Sequence, residues 1–566
     1  MIISLDKAIM KLAFYLCTFV TFFFTCSFLP GAEFFAKGLV VSVSQPGSDA
    51  GLRILKSGGN AVDAAIATAF ALAVTHPAAG NIGGGGFMVV HPPFGKGEPT
   101  VFEYREMAPK AAFEHMYTKT DGMFTHKVSG VPGTVRGLAL AHQRFGSIPW
   151  NQLLLPAIEL AENGFPVSKQ LANSLNGLLS TSKEFEELQR VFKPTNGTNL
   201  WQTNDIFIQK DLGNTLSRIG KFGPDEFYLG TTADLITNEM KMGNGLIGKS
   251  DLALYQARER KPIKIEYKGH SIYGSPPPSS GTITLGLMLN MIEPIDIKKI
   301  GRWSPETFHL LIETMKRAFC ERARHLGDQG FVDIPASLLD KEFAKKLAAT
   351  INLQKATPSV DLAKDFNIVK ESDDTTHFSI VDGQGMAVSN TYTLEQSYGS
   401  KVMVKGGGFL LNNEMLDFNW IPKETNKSGR IGTNANLIQP AKKMLSSQTP
   451  VIVSKNGSPF LVTGSPGSRT IINTVFNIII NVIDFEMTVQ EAVDSSRLHH
   501  QWFPDKAYFE EANNAKYDAN MKKLRTMGHD ISSRSQGDAH SILIDPKTKL
   551  LHPGLDRRIG GGLAGH

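Results

Sequence analysis

The segment 371–393, ESDDTTHFSIVDGQGMAVSNTYT, gathers hydroxyl and imidazole side chains at one end of a β-pattern. Thr375, Thr376, His377 and Ser379 follow the acidic pair Asp373 and Asp374, and Thr391, Tyr392 and Thr393 close the segment. Apolar residues alternate on both sides of the turn sequence DGQG at 382–385, a strong hairpin signal. If Val381 faces Met386, counting outward along both strands pairs Thr375 with Tyr392, and a four-residue loop leaves about one residue of slack. Thr375 is thus expected opposite 391–393. A threonine hydroxyl is a weak nucleophile until a base stands beside it. The threonine's own α-amine, with a pKa near ~8, is one such base, available only when the chain is cut just before it. Plain β-forming threonines on a solvated strand account for the same residues, so the hairpin alone leaves both readings open.

The elements that position this hairpin differ in character along the chain. From Val40 to about Thr350 the sequence reads mostly as helices joined by glycine-rich turns. GGNAVDAAIATAFALAVTHP (58–77) carries small residues at helical spacing, the mark of a closely packed helix. GNIGGGGFMVV then enters a strand at 87–90. Its glycines 83–86 lack phosphate-loop spacing and precede a strand rather than a helix, which points to a close backbone approach. In SPPPSSGTITLGLML (275–289), Ser279 and Ser280 are candidate helix caps. Short strands dominate after Thr375 (THFSIVD, MAVSNTYT, TPVIVSKNGSPFLVTG), and helices return at TIINTVFNIIINVID and TVQEAVDSSRL. Paired strands with helices before and after them predict a sheet-on-sheet sandwich covered by helices.

Composition narrows the class. The 566 residues are 20% charged and 41% hydrophobic, an ordinary globular balance with a net charge of only +5. No concentrated basic run is present, so nucleic acid is not an expected partner. Lys7 and Lys11 precede 21 uncharged residues at 12–32, dense in Phe and Leu and ending on small residues Gly31 and Ala32. That is the pattern of a secretory signal, so the expectation is an exported chain, periplasmic or secreted, with retention as an N-terminal anchor the alternative. Of three cysteines, Cys17 and Cys26 lie in that segment, which leaves Cys320 without a disulfide partner. KRAFCERARHLGD reads as an amphipathic helix and makes Cys320 a buried structural thiol. His499 and His500 are adjacent and lack metal-ligand spacing, so no metal is expected there.

Seven motifs in order carry a resemblance: YREMAP, DDTTHFSIVD, TYTL, LLNNEMLDF, SSQTP, TGSPGSR and, near the end, DRRIGGG. Together with VVSVSQPGSDAGLRILKSGGNAVDAAIA, they make the chain resemble γ-glutamyltranspeptidase (glutathione hydrolase), a self-processing family of N-terminal-nucleophile hydrolases, from about Val40 to the C-terminus. The resemblance implies an α+β fold, a four-layer αββα sandwich, in which the precursor cuts itself between Asp374 and Thr375. It implies a leader at 1–32, a large subunit at 33–374 and a small subunit at 375–566, intertwined as a heterodimer. Thr375 would be the nucleophile and Thr393 the hydroxyl that orients it. Arg105, Ser446 and Ser447 would bind the substrate α-carboxylate, and Glu395, Glu414 and Asp417 its α-ammonium. Gly467 and Ser468 would supply oxyanion N–H donors. Glutathione, γ-glutamyl peptides and amides would be donors, amino acids and dipeptides acceptors, and no cofactor would be required.

This chain departs from the family pattern in three places. Ser468 stands where a second glycine is usual, and its backbone donor survives only if that position does not need a positive φ. Glu395 stands where many members carry asparagine. The segment between Asp417 and Ser446 is long enough for a lid over the glutamyl pocket, but Trp420 lies too near its start to be the aromatic lid tip. Two other readings compete. An acylase for another dicarboxylic acyl group, as in cephalosporin acylases, would leave three acids without an ammonium to meet. A non-catalytic exported binding protein on the same fold would be marked by loss of Thr375 or Arg105, and both residues are present.

Overall fold

The computed structural model describes residues 33–118, 120–194, 197–363, 375–425 and 431–566. The apolar N-terminal segment and Asp374 lie outside these residues. Residues 35–566 form one compact unit.

Strands β1 (Gly38–Ser42), β2 (Gly85–His91), β3 (Thr100–Tyr104) and β4 (Arg258–Arg260) come first, followed by β5 (Ile263–Tyr267) and β6 (His270–Gly274). The hairpin β7 (Thr376–Asp382) and β8 (Ala387–Thr393) comes next, then β9 (Val451–Lys455) and β10 (Ser458–Thr463). The chain ends on β11 (His540–Ile544), β12 (Leu551–Leu555) and β13 (Gly562–Gly565). They build two sheets, in the orders β13-β1-β7-β8-β2-β3-β4 and β12-β11-β10-β9-β6-β5. Leu39, Val41, Val89, Val381, Ile452 and Val462 point between the sheets and form the inner core. Their neighbours Val40, Val90, Ile380 and Val388 point outward, against the helices, as the two-residue period of a strand requires.

Helices α1 (Gln45–Lys56), α2 (Ala61–Thr75) and α3 (Lys169–Thr181) belong to the layer outside the first sheet. Helices α4 (Gly281–Ile292), α5 (Pro305–His325) and α6 (Thr470–Ile483) belong to the layer outside the second. The result is the expected αββα sandwich. Every residue of α2 is buried, and its alanines explain how: small side chains let it pack on the sheet and on α1 at once. Asn60 caps α2 by accepting from Val62 and Asp63 N–H groups, and Asp63 returns the bond to Asn60 N–H.

Three expectations need correction. The stretch expected to be mainly helical holds six strands of the two sheets, of which only β2 was expected; β1 and β3 are buried on both faces and so show no polar alternation, and β4 is only three residues long. The hairpin is shifted by one residue: Val381 faces Ala387 and Thr376 faces Tyr392. The reason is a three-residue loop in place of four, with Asp382 N–H bonded to Met386 C=O and Gly385 at φ +88 closing the turn. Ser280 precedes α4 but its hydroxyl makes no cap bond; it donates instead to the Ser446 carbonyl. Strands from either side of residue 375 share both sheets and pair with one another, since β7 lies on β1 and β8 on β2, while β9 lies on β6.

Candidate active site

The hairpin end brings together residues from distant parts of the sequence. A small cavity of about 20 Å³ is lined by Thr375, Thr393, Arg105, Glu395, Glu414 and Asp417, together with Ser446, Ser447 and Ser468. Of the residues the resemblance assigned to catalysis and substrate binding, all but Gly467 face this space, and Gly467 is the chain neighbour of Ser468. Thr375 precedes β7 and is 8% exposed.

Thr393 is held by the backbone around it. Its hydroxyl accepts from Glu395 N–H at 2.8 Å, and its carbonyl accepts from Asn81 Nδ2 at 2.9 Å. The glycines before β2 allow this approach: a Cβ on Gly84 would lie 1.9 Å from the Thr393 carbonyl oxygen, and one on Gly86 2.3 Å from that of Thr391. Asn81 also accepts from Gly84 N–H and from the Thr134 hydroxyl. His377 is a support between strands. It is buried, bonds the Thr391 hydroxyl at 2.8 Å and the Ser379 hydroxyl at 3.1 Å, and burial, with His540 adding to it, keeps the ring neutral.

Arg105 is the electrostatic centre. Its guanidinium lies 2.6 Å from Glu414 Oε2 and 3.2 Å from Glu106 Oε2, and it donates to Asp417. Its Nε and Nη2 also donate to the carbonyls of Met444 and Leu445, each at 3.3 Å, which fixes the chain entering Ser446. Burial opposes the charge on Arg105, but Glu414, Glu106 and Asp417 overcome it and hold the group protonated. The carboxylates bear the consequence. Burial pushes Glu106 up to about 7 against the pull of Arg105, and it pushes Glu414 well above the ordinary carboxylate range. Glu414 also shares a hydrogen bond with Asp417. Three acids around one guanidinium suit an incoming zwitterion: its carboxylate can replace Asp417 on Arg105 while its ammonium meets the displaced acid.

The serine pair is built from both sides. Ser446 N–H donates to the Pro278 carbonyl, and Ser447 Oγ accepts from Arg322 Nη2 at 2.9 Å. Arg322, on α5, also donates to Ser280 Oγ at 2.8 Å; burial pulls its guanidinium down to about 10, with Asp417 opposing. Arg322, Glu106, Asn81 and Asn436 are positioning residues the sequence reading missed. Asn436 donates to the Asp417 carbonyl at 2.5 Å and accepts from Leu445 N–H at 2.9 Å. Only YREMAP, which contains Glu106, had carried a signal; Arg322 and Asn81 act across long sequence separations.

Gly467 and Ser468 lie just before α6, where N–H groups and the helix dipole favour a developing negative charge. Gly467 has φ +118, and a Cβ there would stand 2.4 Å from Thr470 Oγ1. Ser468 has φ +49, so the left-handed backbone is retained although the glycine is not. That conformation costs an L-residue about 1–2 kcal/mol, partly offset by the greater freedom of glycine when unfolded. Ser468→Gly is therefore expected to raise unfolding free energy by about 0.5–1 kcal/mol, read as a shift of the denaturant midpoint. Glu395 has φ +79, a region where asparagine is several-fold enriched. Glu395→Asn is expected to stabilise the fold by about 0.5 kcal/mol and to raise KM for an ammonium-bearing substrate several-fold, as seen by parallel melting and kinetic assays.

Other candidates resolve as structure. Cys320 is buried and its thiol lies 3.7 Å from the Leu362 carbonyl. His499 and His500 are buried; His499 bonds Asn473, and His500 lies 3.3 Å from Asp505. Trp420 stacks on Tyr117 at 4.1 Å and donates to Met415 C=O. His309, Glu313 and His529 bring ligand-type atoms within 4.8 Å of one another. Glu313, however, is bound by Arg317 at 2.6 Å and lies 3.4 Å from Lys316, so a dication would enter beside two cations.

A threonine at the head of a central strand in an αββα sandwich, facing a helix N-terminus, defines the N-terminal-nucleophile hydrolase class. A family profile described as Gamma-glutamyltranspeptidase matches residues 47–566. The "Glutathione hydrolase proenzyme" of Escherichia coli is 40% identical over 539 residues, covering 94% of this chain and 92% of that protein. The protein of the same name from Pseudomonas aeruginosa is 42% identical, covering 90% and 91%. Among solved structures, a cephalosporin acylase from Bacillus halodurans superposes with a TM-score of 0.84 at 25% identity, over 96% of this chain and 99% of that one. The chain belongs to the gamma-glutamyltranspeptidase family.

Proposed function

We propose that this protein is an exported glutathione hydrolase and γ-glutamyltranspeptidase that activates itself by cleaving the bond between Asp374 and Thr375. The observation that carries the reading is the single cavity in which Thr375 meets Arg105 and its ring of acids. In the precursor, the Thr375 hydroxyl attacks the Asp374 carbonyl carbon, the acyl group moves from nitrogen to oxygen, and water hydrolyses the ester. The released α-amine then serves as base.

In turnover, the amine takes the hydroxyl proton as Thr375 Oγ attacks the γ-carbonyl of a donor such as glutathione. The C–N bond breaks, the proton passes to the leaving amine, and a γ-glutamyl ester remains on Thr375. Water or the amine of an amino acid or dipeptide then attacks that ester and regenerates the hydroxyl. Arg105 with Ser446 and Ser447 holds the α-carboxylate; Glu395, Glu414 and Asp417 hold the α-ammonium. Thr393 orients Thr375, and Gly467 and Ser468 N–H groups receive the oxyanion, a contribution of about 3–4 kcal/mol for each donor. All of these are protein groups, so the chemistry calls for no cofactor. The apolar segment 12–32 supports export. No helix among the described residues is long and apolar enough to cross a membrane.

The acylase likeness favours a second reading, another dicarboxylic acyl amide as substrate. Three acids argue against it, because such acyl groups lack the ammonium. γ-Glutamyl and glutaryl anilides separate the two. Turnover of the first, by a preparation whose smaller chain begins at Thr375 on N-terminal sequencing, is the expected result. Preference for the glutaryl compound, or activity in an uncut chain, would overturn the proposal.

A further inference from the structure

Gly467 at φ +118 and Ser468 at φ +49 make two left-handed residues in succession. Backbone held in such sparsely populated conformations persists only where the surrounding structure over-determines it. Helix α6 supplies part of that support, since Thr470 N–H and Oγ1 both donate to the Gly467 carbonyl, at 3.0 and 2.6 Å. The rest comes from the segment 536–540, QGDAH, which leads into β11 and belongs to none of the sequence motifs.

This segment touches the loop at two points. Asp538 N–H donates to Ser465 Oγ at 3.1 Å, and that hydroxyl donates in turn to the Pro466 carbonyl at 2.8 Å. Gly537, at φ +65, lies against the same residues: a Cβ there would stand 2.4 Å from Ser465 Oγ and 3.2 Å from the Pro466 carbonyl oxygen. A Cβ on Gly467 would in turn stand 3.3 Å from Gly537 Cα. The segment also reaches the strand that Thr375 heads, where Ser379 Oγ donates to the His540 carbonyl at 2.8 Å.

Asp538 stiffens the connection. It is fully buried; one carboxylate oxygen accepts from Ile559 N–H at 3.1 Å, and the other lies 3.0 Å from His540 Nε2. The second ring nitrogen of His540 has no hydrogen-bond partner among the described residues, so Asp538 alone orients the imidazole. Ala539 N–H donates to Asp556 Oδ2 at 2.8 Å, and Arg497 grips both Asp556 and the Gln536 carbonyl. Resting on the function proposed above, we infer that 536–540 is a bracket that sets the spacing between the Thr375 strand and the Gly467 and Ser468 N–H donors, with Gly537 and Asp538 as positioning residues for the oxyanion step. None of its residues lines the charged cavity. Disturbing it should therefore spare ground-state binding and weaken the transition state.

Glutamate and its analogue with a boronic acid in place of the γ-carboxyl separate those two effects. Thr375 Oγ shares a lone pair with boron, its proton passes to the α-amine, and the tetrahedral adduct presents an oxygen to the oxyanion donors; glutamate stays planar at its γ-carbon. In the processed enzyme, Gly537→Ala is expected to lower kcat for γ-glutamyl anilide and to weaken the boronate, each at least about tenfold. Affinity for glutamate should stay within about twofold of wild type. Adding Ser465→Ala removes the oxygen that the new methyl strikes and should restore most of both losses, which strain at 537 alone would not permit. Asp538→Ala leaves Ile559 N–H and the His540 ring without their partner and should weaken the boronate about fivefold. Asp538→Asn, whose amide oxygen still accepts from Ile559 N–H, should recover most of that loss. Boronate and glutamate affinities that fall together, boronate affinity unchanged in both Gly537→Ala and Asp538→Ala, or no recovery on adding Ser465→Ala would overturn the bracket. Wild-type protein that binds neither ligand would instead overturn the γ-glutamyl reading itself.

Discussion

Thr375→Ala is expected to accumulate as one uncut chain and to turn over γ-glutamyl anilide at least about 10⁴-fold more slowly than the wild type. One substitution removes two functions, because the same hydroxyl would open the precursor and carry the acyl group. Without the cut there is no α-amine, and without the hydroxyl there is no ester. The fold should barely notice the change: Thr375 precedes β7 rather than pairing within it, and the ladder to β8 starts at Thr376. Thr375→Ser keeps a hydroxyl and an amine and should recover both cleavage and turnover, more slowly. A denaturing gel and a single-turnover assay read the two effects. Fragments appearing from the alanine variant at this bond would assign the chemistry to another residue.

Arg105→Lys is expected to raise KM for γ-glutamyl donors by about 100-fold, with kcat falling less. A lysine retains one positive charge but cannot grip a carboxylate at two points, and it loses the bonds to the Met444 and Leu445 carbonyls that set the serine pair. Losing one charge-assisted bond costs about 1.5–3 kcal/mol, which brackets the 100-fold figure. Arg105→Ala goes further and leaves Glu106, Glu414 and Asp417 without their cation, a loss of about 3–5 kcal/mol at neutral pH. That loss depends on pH. Glu106 and Glu414 already have folded-state pKa values raised above the ordinary carboxylate value, and removal of Arg105 raises them more. Raised carboxyls bind more protons in the native than in the unfolded state, so stability falls as pH climbs from about 4.5 through the folded values. Arg105→Ala should therefore melt closest to wild type near pH 5 and fall furthest behind it above pH 7.5.

Much of the fold and of the candidate site was legible before any coordinates, for reasons that differ by residue. The hairpin at 375–393 announced itself through alternation and a glycine-bearing turn, and α2 through small residues at helical spacing. The glycines before β2 were legible as a close approach because only glycine tolerates a carbonyl oxygen 1.9 Å from where a Cβ would sit. The register slipped by one, since the loop length depends on the bond between Asp382 N–H and Met386 C=O, which composition does not encode. The strands β1 and β3 were hidden because both faces are covered, so no polar alternation marks them. Arg322 and Asn81 escaped for a deeper reason. Each acts on a residue over a hundred positions away, Arg322 on Ser447 and Asn81 on Thr393, and such pairings exist only once the layers have stacked. The condition set for Ser468, that its backbone should not need a positive φ, fails at +49, and the chain tolerates the strain.

The interleaving of β1 with β7, β2 with β8 and β6 with β9 bears on how this molecule ages. An unbroken chain regains its shape alone, at a rate indifferent to dilution. Once a bond ahead of Thr375 is severed, each half is left with sheet edges that only the other half can cover, and recovery after denaturation becomes a second-order encounter between two incomplete partners. Maturation would thus exchange reversibility for activity, and the working lifetime would be governed by how slowly the halves first come apart.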